Sequence, residues 1–216
     1  MSKGKAIQND IHQALLELDE GRVEHLTSEY LRAGYEVTSL LQTMSNAVSE
    51  IGAKFENGDC YLPQLINSVE IMENTIKLIH EKLAESDELA EEKGVLVIGT
   101  VKNDVHDLGK NVTSSMLRIA GFRVIDLGTD LPALDIVEDA LENDADIIAI
   151  SSMTTVTMPC LAEVIAILEN MGVRSRFKVL ISGAPVTQEY AELIGADAYV
   201  KSAEEAVVTA KRLMGR

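Results

Sequence analysis

Up to about residue 90, apolar residues recur three and four positions apart. Beyond it they gather into short, unbroken runs. The first pattern predicts amphipathic helices. Ile7, Ile11, Ala14, Leu15 and Leu18 form one stripe, and Gly21 follows it. Val23, Leu26 and Leu31 form a second, broken at Gly34. Leu40, Leu41, Met44, Val48, Ile51 and Phe55 form a third, which stops at Asn57-Gly58 as a helix C-terminus should. "CYLPQ" opens a fourth, with Pro63 in its first turn, where a missing N–H costs little. Leu65, Ile66, Val69, Met72, Ile76, Ile79 and Leu83 run along its expected inner face. Four such helices with short connections predict an all-α bundle over residues 1–90. The acidic stretch "AESDELAEEKG" (84–94) reads as a linker or a frayed helix end.

Residues 91–216 alternate between two periods. "GVLVIGT" (94–100), "FRVIDLG" (122–128), "ADIIAIS" (145–151), "FKVLIS" (177–182) and "DAYV" (197–200) read as five buried strands. Helical stretches at 108–120, 133–143, 158–171, 187–194 and 202–214 separate and follow them. Strands alternating with helices predict right-handed βαβ units and a doubly wound, five-stranded parallel α/β sheet. Such sheets bind ligands beyond the carboxyl ends of their strands.

Composition narrows the function classes. The 216-residue chain carries 19 basic and 35 acidic residues, a formal net charge of -16. A surface this acidic repels phosphate backbones and anionic headgroups, so neither nucleic acid nor a membrane surface is an expected partner. No apolar run approaches a membrane-spanning length, and "MSKGKAIQNDIHQ" lacks the apolar core of a signal peptide, so a cytoplasmic protein is expected. Cys60 and Cys160 make neither a zinc pattern nor a disulfide framework. There is no G-x-x-x-x-G-K-[ST] and no G-x-G-x-x-G after the first strand, so nucleotide binding loses its usual support.

The strand ends carry the chemistry. "GTVKNDVHDLGKN" (99–111) follows the first strand, "SSMTTVTMP" (151–159) the third, "SGAPVTQ" (182–188) the fourth and "VKSAEE" (200–205) the fifth. His106 stands between Asp104 and Asp107. As a metal ligand it would bind through one ring nitrogen, and the other would need an acceptor, for which Asp104 is the natural candidate. One histidine without a second His or Cys nearby cannot hold a bare zinc ion. Most of the coordination would then come from a preassembled group such as a macrocycle. A solvated loop histidine with no special role stays open at this level. His12, His25 and His80, on the predicted bundle helices, receive no role.

Asp104-x-His106-x-x-Gly109 resembles the D-x-H-x-x-G signature of cobalamin-binding Rossmann-like (flavodoxin-like) domains. Ser151-Ser152-Met153 is similar to their S-x-L motif, with methionine in the leucine place. Ser182-Gly183 stands where the family has a Gly-Gly pair, and "KFENGDCYLPQ" (54–64) is similar to the family's helical cap. The resemblance covers nearly the whole chain and points to corrinoid methyl carriers, more distantly to the cobalamin domain of methionine synthase. It implies cobalamin bound base-off and His-on, with His106 as the lower cobalt ligand, Asp104 accepting the imidazole's other proton and Ser151 as a further relay member. It also implies cofactor contacts from Asn103, Val105, Asp107, Gly109, Met153, Thr155, Ser182, Gly183 and Ala203. Ser182 adds a side chain where the family lets the cofactor's nucleotide tail lie close to the backbone.

The implied chemistry is a methyl shuttle. Cob(I)alamin accepts a methyl group from a substrate-specific methyltransferase, and methyl-cob(III)alamin passes it to a second one, whose acceptor is a tetrahydrofolate or a thiol. A reductive activator of the corrinoid is a further implied partner. Proton uptake by the His–Asp pair would favour release of the lower ligand. Phe55, Tyr61, Leu62, Leu65 and Val69 are candidates for an apolar lid, with 84–94 as its hinge. Two other readings stand beside it: the cobalamin subunit of an adenosylcobalamin mutase, which shares D-x-H-x-x-G, and a cobalamin-dependent sensor or regulator. The helical cap argues against the first. The lack of a helix-turn-helix before the cap and the acidic charge argue against the second.

Overall fold

The computed structural model describes residues 3–84 and 93–215. Residues 85–92 of the expected hinge lie outside them. The chain divides into two compact units, Met1–Leu89 and Ala90–Arg216.

The first unit is a bundle of α1 (Lys3–Leu16), α2 (Glu20–Arg32), α3 (Val37–Glu56) and α4 (Leu62–Ala84). Ile11, Ala14 and Leu15 of α1 meet Leu40, Leu41 and Met44 of α3 and Ile71, Met72 and Ile79 of α4 in a core closed to solvent. Asp19 starts α2 by accepting from the Arg22 amide, satisfying one of the N–H groups that a helix start leaves over. The buried face of α2 is Val23, Thr27 and Tyr30, whereas the expected Leu26 and Leu31 are half-buried. Tyr30 can go inside because its hydroxyl is partnered. It accepts from Gln8 Nε2 at 2.9 Å and donates to the Glu36 carbonyl at 3.1 Å. On α4, Ile66 is exposed, and Ser68 and Thr75 are buried through bonds to the carbonyls of Leu65 and Ile71. Three of the five expected lid residues, Phe55, Tyr61 and Leu62, are exposed, and Leu65 and Val69 are half-buried. His12 lies 3.7 Å from Glu50, and His25 is exposed.

The second unit contains β1 (Val95–Val101), α5 (Leu108–Ile119), β2 (Arg123–Leu131), α6 (Ala133–Glu142), β3 (Ile147–Ser151), α7 (Pro159–Asn170), β4 (Lys178–Ser182), α8 (Gln188–Ile194), β5 (Ala198–Val200) and α9 (Ala203–Leu213). All five strands are parallel, in the order β2-β1-β3-β4-β5. This is the doubly wound arrangement that the alternating pattern predicts. Val97, Val101, Ile148, Ile150, Val179 and Ile181 pack under α6, α7 and α8. Alternate positions face the side of α5 and α9, so β1 is buried on both faces and shows no polar alternation.

The chain leaves β1 for β2 on one side of it and returns to β3 on the other. The strand order reverses there, opening a crevice beyond the carboxyl ends of β1 and β3. The loops at 102–107 and 152–158 flank that point. β2 runs to Leu131, three residues past its expected end at Gly128. It does so through two register shifts against β1, one before the Gly99–Gly128 pair and one before Val101–Leu131, leaving two extra residues on β2. No helix among the described residues is long and apolar enough to cross a membrane.

Asp197 closes the β4–β5 edge. Its carboxylate accepts from the Val179 amide at 2.8 Å and from Arg174 at 2.6 Å, while its own amide donates to the Val179 carbonyl. Burial would raise its carboxyl pKa. The Val179 amide, Arg174 and Lys178 outweigh burial and hold it below the ordinary carboxylate range. A lowered folded pKa gives stability that is full above the unfolded value and is lost as pH falls through the folded one. Asp197→Ala is therefore expected to lose about 2 kcal/mol at pH 7. In urea unfolding, its gap to the wild type should close as pH drops below about 4.

Candidate functional site

The site begins with a turn that aims one carboxylate inward. After β1, the Asp104 amide donates to the Val101 carbonyl at 3.1 Å, and the Asp104 side chain is fully buried. A buried carboxylate needs donors. Oδ1 accepts from the His106 amide at 3.1 Å and from His106 Nδ1 at 2.8 Å. Oδ2 accepts from the Met153 amide at 2.7 Å and from the Thr157 hydroxyl at 2.9 Å. Burial alone would push the carboxyl pKa up, but the Met153 amide, the His106 ring and amide and the Thr157 hydroxyl together hold it below the ordinary range. Asp104 is therefore ionised, and its partner nitrogen on His106 carries the proton. The other ring nitrogen, Nε2, takes no part in that pairing, and 58% of the His106 side chain is exposed. Among the described residues nothing is bonded to Nε2.

A second layer stands behind Asp104. The single Thr157 proton is committed to the carboxylate, so this hydroxyl accepts from Ser152 Oγ at 2.7 Å and from Thr154 Oγ1 at 2.8 Å. Ser152 and Thr157 are both buried. Ser151, the expected relay member, is not among the donors to Asp104. Strand alternation turns it to the α5 side with Ala149, where its hydroxyl lies 3.1 Å from Thr100 Oγ1. Thr100 also reaches the His106 carbonyl at 3.2 Å, so Ser151 is linked to the histidine's backbone rather than to its ring. The place expected for Ser151 is held by Thr157 and the Met153 amide. The turn at 154–157 brings Thr157 back over the strand end, which spacing along the chain does not reveal.

The other expected residues share this carboxyl edge. Val105 and Met153 are exposed apolar side chains on the loops after β1 and β3, and Thr155 is exposed on the same turn as Thr157. Asn103 is left-handed, with φ 63°. Asp107 is the N-cap of α5, with its carbonyl accepting from the Asn111 amide, and Gly109 lies exposed in the first turn. Ser182 ends β4, paired with Ser151 and Val200. Ala203 is buried at the start of α9, whose cap is Ser202. Ser151, Ser182, Lys110 and Val200 line a narrow crevice of about 20 Å³ against α5. Lys110 is itself buried and paired with Asp126 at 2.6 Å, an ion pair that sequence patterning did not single out. A larger cavity, about 430 Å³, lies near Thr187, Tyr199, Lys201 and Glu205 and includes none of the His106 network.

Gly183 leaves no room for a side chain in the present backbone. Its φ is 136°, and a Cβ there would overlap the Ser152 backbone carbonyl, because the β4 turn lies directly on the post-β3 loop. The Ser152 amide donates to the Ser182 carbonyl at 3.0 Å, which keeps the two loops in contact.

Among the described residues, no group of three or more His, Cys, Asp or Glu could hold a bare metal ion. One exposed imidazole, backed by an ionised carboxylate, suits a metal whose remaining ligands come with it. The donor set therefore fits a metal macrocycle such as a corrinoid.

Residues 94–211 match the B12 binding domain family, and residues 7–79 match a second B12 binding domain family. The dimethylamine corrinoid protein 3 of Methanosarcina acetivorans is 44% identical over 172 residues, 79% of each chain. The trimethylamine corrinoid protein of Methanosarcina barkeri is 36% identical over 200 residues, 92% of each chain. The chain belongs to the corrinoid protein family. The solved structure of the Methanosarcina barkeri monomethylamine corrinoid protein superposes on this corrinoid protein with a TM-score of 0.83, covering 97% of this chain and 99% of that one at 26% identity.

Two substitutions probe this architecture. Gly183→Ala is expected to cost about 3 kcal/mol or more, since both φ and the Ser152 carbonyl resist it, and to lower the thermal midpoint accordingly. Thr157→Val removes one donor from Asp104 and should cost about 1–3 kcal/mol in urea unfolding.

Proposed function

We propose that this corrinoid protein is a methyl carrier that binds cobalamin base-off, with His106 as the lower cobalt ligand. The observation that carries the reading is the pairing of the exposed His106 side chain, through Nδ1, with the buried, ionised Asp104. When bound, a corrinoid supplies a nucleophilic cobalt centre that takes up a methyl group and gives it away again. The chain's residues do the rest. Asp104 fixes the imidazole tautomer that presents Nε2, and Met153, Thr157 and Ser152 fix Asp104. A proton taken up at Nε2 occupies the lone pair that the metal needs, so acid favours release of the ligand.

In this reading the carrier works in the cytoplasm between two enzymes, a substrate-specific methyltransferase and a second one that serves a tetrahydrofolate or a thiol acceptor. A reductive activator restores the corrinoid when it is oxidised. Relatives named for dimethylamine and trimethylamine support a methylamine as the methyl source.

The test is reconstitution with hydroxocobalamin and comparison of absorption spectra of wild type and His106→Ala. The wild type should bind corrinoid with a spectrum that the variant changes. Identical spectra would remove His106 as a ligand, and a wild type without corrinoid would remove the reading altogether. Methyl transfer from methylamines, assayed with candidate methyltransferases, then decides the substrate. Rearrangement activity with adenosylcobalamin and a mutase partner would favour a mutase subunit instead.

A further inference from the structure

We propose that Asp130, at the carboxyl end of β2, is a positioning residue for His106. It grips three consecutive residues of the loop that carries the histidine. Asp130 Oδ1 accepts from the Asn103 amide at 2.8 Å, and the Asp130 amide donates to the Asp104 carbonyl at 2.9 Å. Lys102 Nζ lies 3.1 Å from the same Oδ1.

Both sides of this clasp are left-handed without being glycine, with φ 63° at Asn103 and 57° at Asp130. That conformation is costly outside glycine, though least so for Asn and Asp, and persists where the surroundings hold it. Here the two residues hold each other. The two extra residues in β2 opposite Ile98–Val101 carry the strand far enough to place Asp130 beside the loop. The irregular end of an edge strand thus reaches the loop that presents His106.

The clasp matters because of what lies next to it. The Asp104 side chain has four donors that tolerate little displacement, and the Asp104 backbone is held by the Val101 carbonyl on one side and Asp130 on the other. Freeing the 102–104 segment would let Asp104 drift, and His106 Nδ1 with it. The Lys102 pair contributes little, since both side chains are nearly half exposed, at 45% and 47%. The acting contact is the hydrogen bond, which an asparagine can also accept and which fits a left-handed backbone.

The inference rests on His106 being the cobalt ligand, and the experiment separates the two claims. Amide hydrogen exchange of the cofactor-free protein should speed up by about tenfold across residues 102–107 in Asp130→Ala, the equivalent of one lost hydrogen bond. Asp130→Asn should stay within about twofold of wild type, because it keeps the acceptor. In protein labelled with ¹⁵N-histidine and loaded with cob(II)alamin, the electron paramagnetic resonance splitting from the protein imidazole should weaken in Asp130→Ala and return in Asp130→Asn. Unchanged exchange or unchanged splitting in Asp130→Ala would overturn the proposal. So would faster exchange throughout residues 93–215, or a failure of Asp130→Asn to restore the wild-type values. A wild type without histidine splitting defeats the ligand assignment instead, while exchange in the cofactor-free protein still decides whether Asp130 holds the loop.

Discussion

The carboxylate of Asp104 is the constraint around which the carboxyl edge of this corrinoid protein is arranged. It is buried and ionised, so each of its lone pairs must meet a donor. The four donors come from two separate loops, His106 after β1 and Met153 and Thr157 after β3. The carboxylate thus joins adjacent strand ends and sets the proton on one histidine nitrogen in the same act. The hydroxyls of Ser152 and Thr154 have no direct contact with His106, yet they orient Thr157, which orients the acid.

The fold makes that convergence possible. In a parallel sheet every strand delivers its outgoing loop to the same edge, and reversal of strand order between β1 and β3 leaves a gap there that no crossover helix fills. Around the gap the chain departs from regular geometry. β2 gains two residues, Asn103 and Asp130 become left-handed, and Gly183 lets one loop lie against another. Each departure is held by specific bonds or by the absence of a side chain. Exposed Val105 and Met153 lie beside them, apolar groups on a polar rim that suit the face of a flat, largely apolar ligand.

Much of this was legible along the chain. The order of helices and strands, the parallel sheet and the loop carrying Asp104 and His106 follow from the change of hydrophobic period and from the strand-end rule. The misses have physical reasons. Tyr30 replaced the half-buried Leu26 and Leu31 on the inner face of α2 because Gln8 and the Glu36 carbonyl satisfy its hydroxyl, and no pattern of apolar positions reports that. Ser151 gave way to Thr157 because strand alternation turns one hydroxyl toward α5 while a turn brings the other back to the acid. The run "SSMTTVTMP" offers five hydroxyl residues, and spacing alone does not choose among them.

Sequence by itself determined which chemistry is present. One histidine with neighbouring acids and no second metal-binding partner excludes a bare metal ion, and the periodicity sets which loops share an edge. These are local properties, written in residue type and spacing. Only the tertiary structure decided which donors of the post-β3 loop complete the carboxylate, and that an aspartate at the end of β2 reaches back to hold the loop. Those outcomes depend on contacts 27 to 53 residues apart in the chain, whose geometry exists only once the strands are paired in register.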